Sequence, residues 1–243
     1  MDTNPIQRVL VLDKASNGPH SCESGLYYAH HQGKAIWRND GEVVLRLEDS
    51  PACGHIASPD VHEKDGLMFY HGGFKGGGQK TFVVKDKIPL LDPIAPFYLR
   101  AWYDFQMNRW WGVAKHRGCS LFSSADPTKE WVCRAHLGFH IRHAFVNPRS
   151  MWMYYSKIGD APEHILRKRL SMSRKKLVGP EEQVLTPEKD WEGVNLPLVP
   201  SIKGIARSPV HQLRDPMIHE TRLYYSVAGE QGIAFADFRE NEL

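Results

Sequence analysis

Leu213-Arg214-Asp215-Pro216-Met217-Ile218, followed at once by Arg222-Leu223-Tyr224-Tyr225-Ser226-Val227, decides the fold. A short apolar segment carries an Arg-Asp pair at its start, a turn follows, and an aromatic segment comes back. The same unit recurs upstream. Ser58-Pro59-Asp60-Val61-His62 precedes Leu67-Met68-Phe69-Tyr70, and Tyr98-Leu99-Arg100-Ala101-Trp102 precedes Arg109-Trp110-Trp111. Arg142-His143-Ala144-Phe145 precedes Met151-Trp152-Met153-Tyr154-Tyr155, and Asn17-Gly18-Pro19-His20 precedes Gly25-Leu26-Tyr27-Tyr28. The aromatic pairs begin at 27, 69, 110, 154 and 224, in steps of 42, 41, 44 and 70. A period of about forty residues built from short strands is the mark of propeller blades. The chain is therefore expected to be all-β: a single five-bladed β-propeller domain over 1–243.

The blade cores fall at about 17–50, 55–92, 97–137, 141–173 and 211–238, with an insertion at about 174–205 that lengthens the last step. That segment holds Asp190-Trp191-Glu192-Gly193 and is too apolar for a linker, so it is expected to fold over a face of the ring. The alternating stretch at 5–12, rich in Val and Leu, precedes the first inner strand, and the last copy lacks an outermost one. The amino-terminal strand is expected to complete the final blade and remove the exposed edge.

Composition agrees. Seven Trp, nine Tyr and ten Phe suit stacked sheets. Lys and Arg outnumber Asp and Glu only 31 to 28, which gives no reason to expect nucleic acid. Cys22, Cys53, Cys119 and Cys133 have no zinc-like spacing and read as reduced thiols. The amino end shows no signal peptide and no stretch is long and apolar enough to span a membrane, so a cytoplasmic protein with no membrane partner is expected. The Gly72-Gly73 and Gly76-Gly77-Gly78 turn joins two strands and lacks Gly-Lys-Ser/Thr, which excludes a phosphate loop.

In a propeller, the leading residues of the inner strands crowd around one mouth of the central channel. Here these are Asn17, His20, Asp60, His62, Arg100, Arg142, His143, Arg214 and Asp215. Buried charge on a narrow axis is either paired or used. The bland reading is a network in which the arginines neutralise Asp60 and Asp215.

Ser58-Pro59-Asp60, Arg214-Asp215-Pro216, the paired aromatics and Ala228-Gly229-Glu230-Gln231-Gly232-Ile233-Ala234 resemble the five-bladed propeller glycoside hydrolases, families 43, 32, 68 and 117, as an outlying branch. The resemblance implies three carboxylates from different blades: an Asp as base or nucleophile, a second Asp that tunes it, and a Glu as acid. Asp60 and Asp215 match the two aspartates. No inner strand offers the Glu, which leaves two replacements. Glu192, beside Trp191, would hang over the mouth with its pKa raised by the aromatic neighbour. His143 already has a suitable pKa. Arg100, Arg142 and Arg214 would grip a small, anionic or heavily hydroxylated carbohydrate, with Asn17, His20 and His62 beside it and Trp102 and Trp191 as ring platforms.

The function so implied is a glycosidase-like hydrolase. Two alternatives stay open: a non-catalytic carbohydrate- or metabolite-binding propeller, and a metal-dependent enzyme using channel histidines. In the latter a single divalent cation would sit near His62 and His143.

Overall fold

The computed structural model describes residues 6–200 and 209–238, which form five antiparallel sheets arranged as a five-bladed propeller. Blade one consists of Ser16–Cys22, Gly25–His30, Ala35–Arg38 and Val43–Arg46, from the axis outward. Blade two runs through Cys53–His62, Leu67–Gly73 and Gln79–Lys85, and two short pieces, Ile88–Pro89 and Ala95–Pro96, share its outer edge. Blade three holds Arg100–Asp104, Arg109–Ala114, Cys119–Ser124 and Val132–Gly138. Blade four holds Ile141–Asn147, Trp152–Lys157, Ile165–Ser171 and Lys176–Leu185. Blade five holds Arg214–His219, Arg222–Val227 and Gly232–Asp237. Its outer strand is Arg8–Leu12, antiparallel to the third, with Arg8 opposite Ala236 and Leu10 opposite Ala234. The expected closure is the observed one.

The aromatic pairs follow from strand geometry. Consecutive side chains point to opposite faces of a sheet, so the two rings of a pair serve two different interfaces between blades. Phe69 packs with Leu99, Trp110 and Trp131 between blades two and three, while Tyr70 packs with Ile36, Ile56 and Phe82 between one and two. Trp111 and Tyr155 meet between three and four, Tyr154 and Tyr225 between four and five, and Tyr28 and Tyr224 between five and one. Each ring removes about 150–250 Å² from water, a gross gain of about 4–6 kcal/mol. Five interfaces each take such rings, which is why the motif repeats.

One boundary differs from expectation. Lys176–Leu185, assigned to an insertion starting near 174, is the outermost strand of blade four, with Ile165 opposite Leu185 and Ser171 opposite Lys176. The register slips between Arg167 and Arg169, where Gly179-Pro180 bulges out of the strand, and this breaks the period-two pattern. The connection to blade five therefore begins at 186. Its portion from 201 to 208 lies outside the described residues, as does residue 5 of the amino-terminal strand. Among the described residues no helix is long and apolar enough to cross a membrane.

Candidate active site

Every inner strand is bent at the same place. Gly18, Ser58, Tyr98, His143 and Asp215 all lie in the left-handed region, with φ of 57°, 49°, 62°, 46° and 53°. In four of the five blades the strand register slips across the bend. For the four residues other than glycine, this conformation costs on the order of 1–2 kcal/mol each. Position 18 needs glycine for a second reason: a Cβ there would collide with Ser58 of the next blade. The shared bend defines two tiers. Gly18, Ser58, Tyr98, His143 and Asp215 occupy the bend itself. His20, Asp60 and Arg100 lie two residues beyond it, level with Phe145 and Met217.

Asp215 is the centre of the first tier. It is 1% exposed and takes four donors. Tyr98 Oη donates to Oδ1 at 2.9 Å, Ser226 Oγ to Oδ2 at 2.8 Å and the Gly18 amide to Oδ2 at 3.3 Å. His143 Nδ1 lies against Oδ1, and its ring stacks on Tyr98 with centroids 4.0 Å apart. Burial alone would raise the Asp215 pKa, but the charge and hydrogen bond of His143 and those of Ser226 and Tyr98 hold it well below the usual carboxylate range. Burial lowers His143, against the pull of Asp215, which favours the neutral imidazole. A proton on Nδ1 is the one the carboxylate attracts, which leaves Nε2 as the basic nitrogen. Nε2 has no partner among the described residues.

Two carboxyls absent from the inner strands complete this end of the channel. Glu230 lies in the turn between the second and third strands of blade five and is 4% exposed. It accepts from Asn17 Nδ2 at 3.2 Å and from Arg214 at 3.4 Å. Burial, and then the Asp215 charge, push it up to about 7. Glu163, between the second and third strands of blade four, is fully buried. It accepts from Ser156 Oγ at 2.6 Å and Arg214 Nε at 3.0 Å, and lies 3.4 Å from Arg142 Nε. Arg214 also donates to Gln212. In an antiparallel blade the second strand ends where the inner one begins, so these turns share one mouth with the inner-strand starts.

Asp60 belongs to the second tier. It lies 3.1 Å from His20 Nδ1 and 3.3 Å from His62 Nε2, and accepts from the Ala101 amide at 2.7 Å. Arg100 is 3.8 Å away, donates to the carbonyls of Pro59 and Pro19, and has its guanidinium 5.1 Å from the Tyr98 ring centroid. Burial would raise Asp60, yet His62's charge and the hydrogen bonds of both histidines hold it well below the usual range; burial lowers His20. Blades one, two and three are tied together by this one carboxylate.

Three expected site residues lie elsewhere. Glu192 does not hang over the mouth. It is fully buried, bound by Arg8 at 2.8 Å, by Tyr225 Oη at 2.6 Å and by the amides of Glu188 and Lys189. It clasps the closing strand, because its turn, Asp190–Glu192, folds beside that strand and not across the ring. Trp191 packs against the blade four–five interface and Trp102 is buried in the three–four interface, so neither is a platform. Both rings follow the apolar surface of the nearest interface.

His62 and His143, named for a cation, belong to different clusters. One ligand atom each from His143, Asp215 and Glu230 does fall within 4.8 Å of the others. Tyr98, Ser226 and the Gly18 amide already donate to Asp215, and His143 Nδ1 lies against it, so a cation held by this set would have to displace the His143–Asp215 contact.

A cavity of about 10 Å³, lined by Tyr98, Lys115, Gly118 and His143 among others, adjoins the first tier. It has room for about one water.

No family model matches the chain. It is 42% identical over 94 residues to the uncharacterized protein R118 of Acanthamoeba polyphaga mimivirus, a match covering 35% of this chain and 26% of that protein. The chain thus spans about a quarter of the length of the curated relative it matches. Among solved structures, a luciferin-regenerating enzyme aligns over 97% of this chain and 96% of its own, with a TM-score of 0.58 and 10% identity. A gluconolactonase from Xanthomonas campestris aligns over 96% and 90%, with a TM-score of 0.51 and 12% identity. Bacteroides ovatus xyloglucan PUL GH43B aligns over 94% of this chain and 53% of its own, with a TM-score of 0.50 and 13% identity. At these identities the likeness is one of fold: the chain is a β-propeller of the shape those proteins share.

Proposed function

We propose that the chain is a hydrolase-type enzyme acting on a small, sugar-like substrate at the mouth of the channel, with His143 as general base, Asp215 as the group that orients it, and Glu230 as general acid. One observation carries the reading. Asp215 is saturated by donors and points one of its oxygens at His143 Nδ1, leaving Nε2 without a partner. A base held in one tautomer by a buried carboxylate is how water or a hydroxyl is activated at neutral pH. Glu230 supplies the other half, since it holds its proton near pH 7 while Asp215 does not. Two carboxyls driven apart by their surroundings divide acid work from charge stabilisation. Asp60, closed in by two histidines and an amide, acts in this reading as a structural tie. The solved proteins of like fold that act on sugars support the substrate class by analogy of fold alone.

The test is turnover on a panel of aryl glycosides and sugar lactones. His143→Gln is expected to lower kcat by about 10²–10⁴-fold with the folded far-UV spectrum retained. Wild-type protein inert on the whole panel, or a variant as active as wild type, would sink the proposal.

A further inference from the structure

Four cations reach this end of the channel, and they are not equivalent. Arg100 is spent on the carbonyls of Pro59 and Pro19 and on Asp60. Arg214 is fully engaged by Glu163, Glu230 and Gln212. Arg142 is 5% exposed, yet its only ionic neighbour among the described residues is Glu163 at 3.4 Å, and its buried Nε has no hydrogen-bond partner. Lys115, at the end of the second strand of blade three, is half-buried and has no carboxylate partner among the described residues. Its ammonium lies 5.3 Å from the Phe97 ring centroid.

We propose that Arg142 and Lys115 bind an anionic group of the substrate, a carboxylate or a phosphate, at the mouth beside His143. This rests on the reading of His143 as the reacting base and names the class of substrate presented to it. The placement is geometric. Lys115 and His143 line the same small cavity, and Arg142 is the chain neighbour of His143 on the inner strand of blade four. Glu163 is shared between two arginines, and Arg214 has Glu230 as a second carboxylate whereas Arg142 has none among the described residues. Burial and then the charge of Arg142 press the Lys115 pKa down, against the pull of Glu163. A buried guanidinium held only by one shared carboxylate keeps donors that a ligand can complete. Its planar fork matches two oxygens of a carboxylate or phosphate, and the lysine adds a point charge. With room for about one water beside His143, a terminal oxygen of the anion enters and the sugar body stays outside.

Titration calorimetry at pH 7 with glucuronate, glucose 6-phosphate and glucose tests this on the full chain. At least one of the two anions is expected to bind about 10- to 100-fold more tightly than glucose, and the one preferred identifies the anion's source. Lys115→Met should weaken that binding by about tenfold and leave glucose unchanged, and Arg142→Lys should weaken it by a smaller factor. Lys115 is half-buried and pairs with no carboxylate, so its variant keeps the test decisive even where Arg142→Lys fails to fold. Glucose bound as well as both anions, or anion binding untouched by Lys115→Met, overturns the proposal. Turnover of neutral glycosides that His143→Gln abolishes, without any preference for anions, would leave the hydrolase reading standing and remove only this one. Anion binding that depends on Lys115 in a protein without turnover would do the reverse.

Discussion

Asp60 and Asp215 are both buried inner-strand aspartates with histidine beside them, and their surroundings give them different work. Asp60 is enclosed by His20, His62, the Ala101 amide and Arg100, drawn from three blades. Asp215 has one histidine, and the far nitrogen of that ring is unpartnered, with a second carboxyl, Glu230, held near neutrality in the same cluster. A charge surrounded on every side ties elements together, whereas a charge that passes its influence to one free nitrogen prepares a reaction. The distinction arises from a two-residue offset along the inner strand relative to a common bend.

The largest expected effect separates these roles directly. Asp215→Asn removes the group that fixes the tautomer of His143, and kcat should fall by about 10⁴-fold. Asp60→Asn should leave kcat within a few-fold in whatever protein is folded. If steady-state kinetics show both substitutions costing the same in turnover at equal stability, the comparison breaks.

Stability should show the opposite order for Asp60. Removing one member of a buried charged set costs about 3–5 kcal/mol, read from urea unfolding. The folded pKa of Asp60 is depressed, so its stabilisation is present above the unfolded carboxylate pKa of about 3.9 and is lost as pH falls through the lower folded value. Asp60→Asn should abolish that part of the acid-side loss.

Glu230 has the reverse sign. Its folded pKa, about 7, exceeds the ordinary 4.5, so its contribution is full below 4.5 and disappears as pH rises through about 7. Both stability and turnover should decline across that window, and Glu230→Gln should flatten the decline in thermal melts and in the pH–rate profile. The smallest effect on turnover belongs to Glu192→Gln. It removes one charge of the buried pair with Arg8, at about 3–5 kcal/mol by denaturant unfolding, with turnover unchanged. A large loss of turnover there would return Glu192 to the site.

The ring was legible because its cause is local and repeated. Each aromatic pair feeds two interfaces, so the period of about forty residues is written into the sequence five times. The bend was legible only in part. Ser58-Pro59-Asp60 places its aspartate after the proline, whereas Arg214-Asp215-Pro216 places its aspartate before it, and aligning Pro59 with Pro216 yields the two-residue offset. Glu230 and Glu163 escaped because attention to the inner strands overlooks the next turn. The signal was a polar residue soon after an aromatic strand, as in Lys115 after Ala114 and Glu230 after Val227. Glu192 and Trp102 misled for a different reason. Chemistry-bearing side chains were assigned to the mouth by type, while their burial is decided by which interface lies nearest.

The pairing of Arg8 with Ala236 joins residues from the two extremes of the described chain. During synthesis the first strand emerges more than two hundred residues before its neighbour, and until then it travels as a solitary apolar ribbon with its hydrogen-bonding groups unanswered. Nascent chains halted before residue 232 are expected to need chaperone shelter, because four finished blades cannot hide that ribbon and the fifth can.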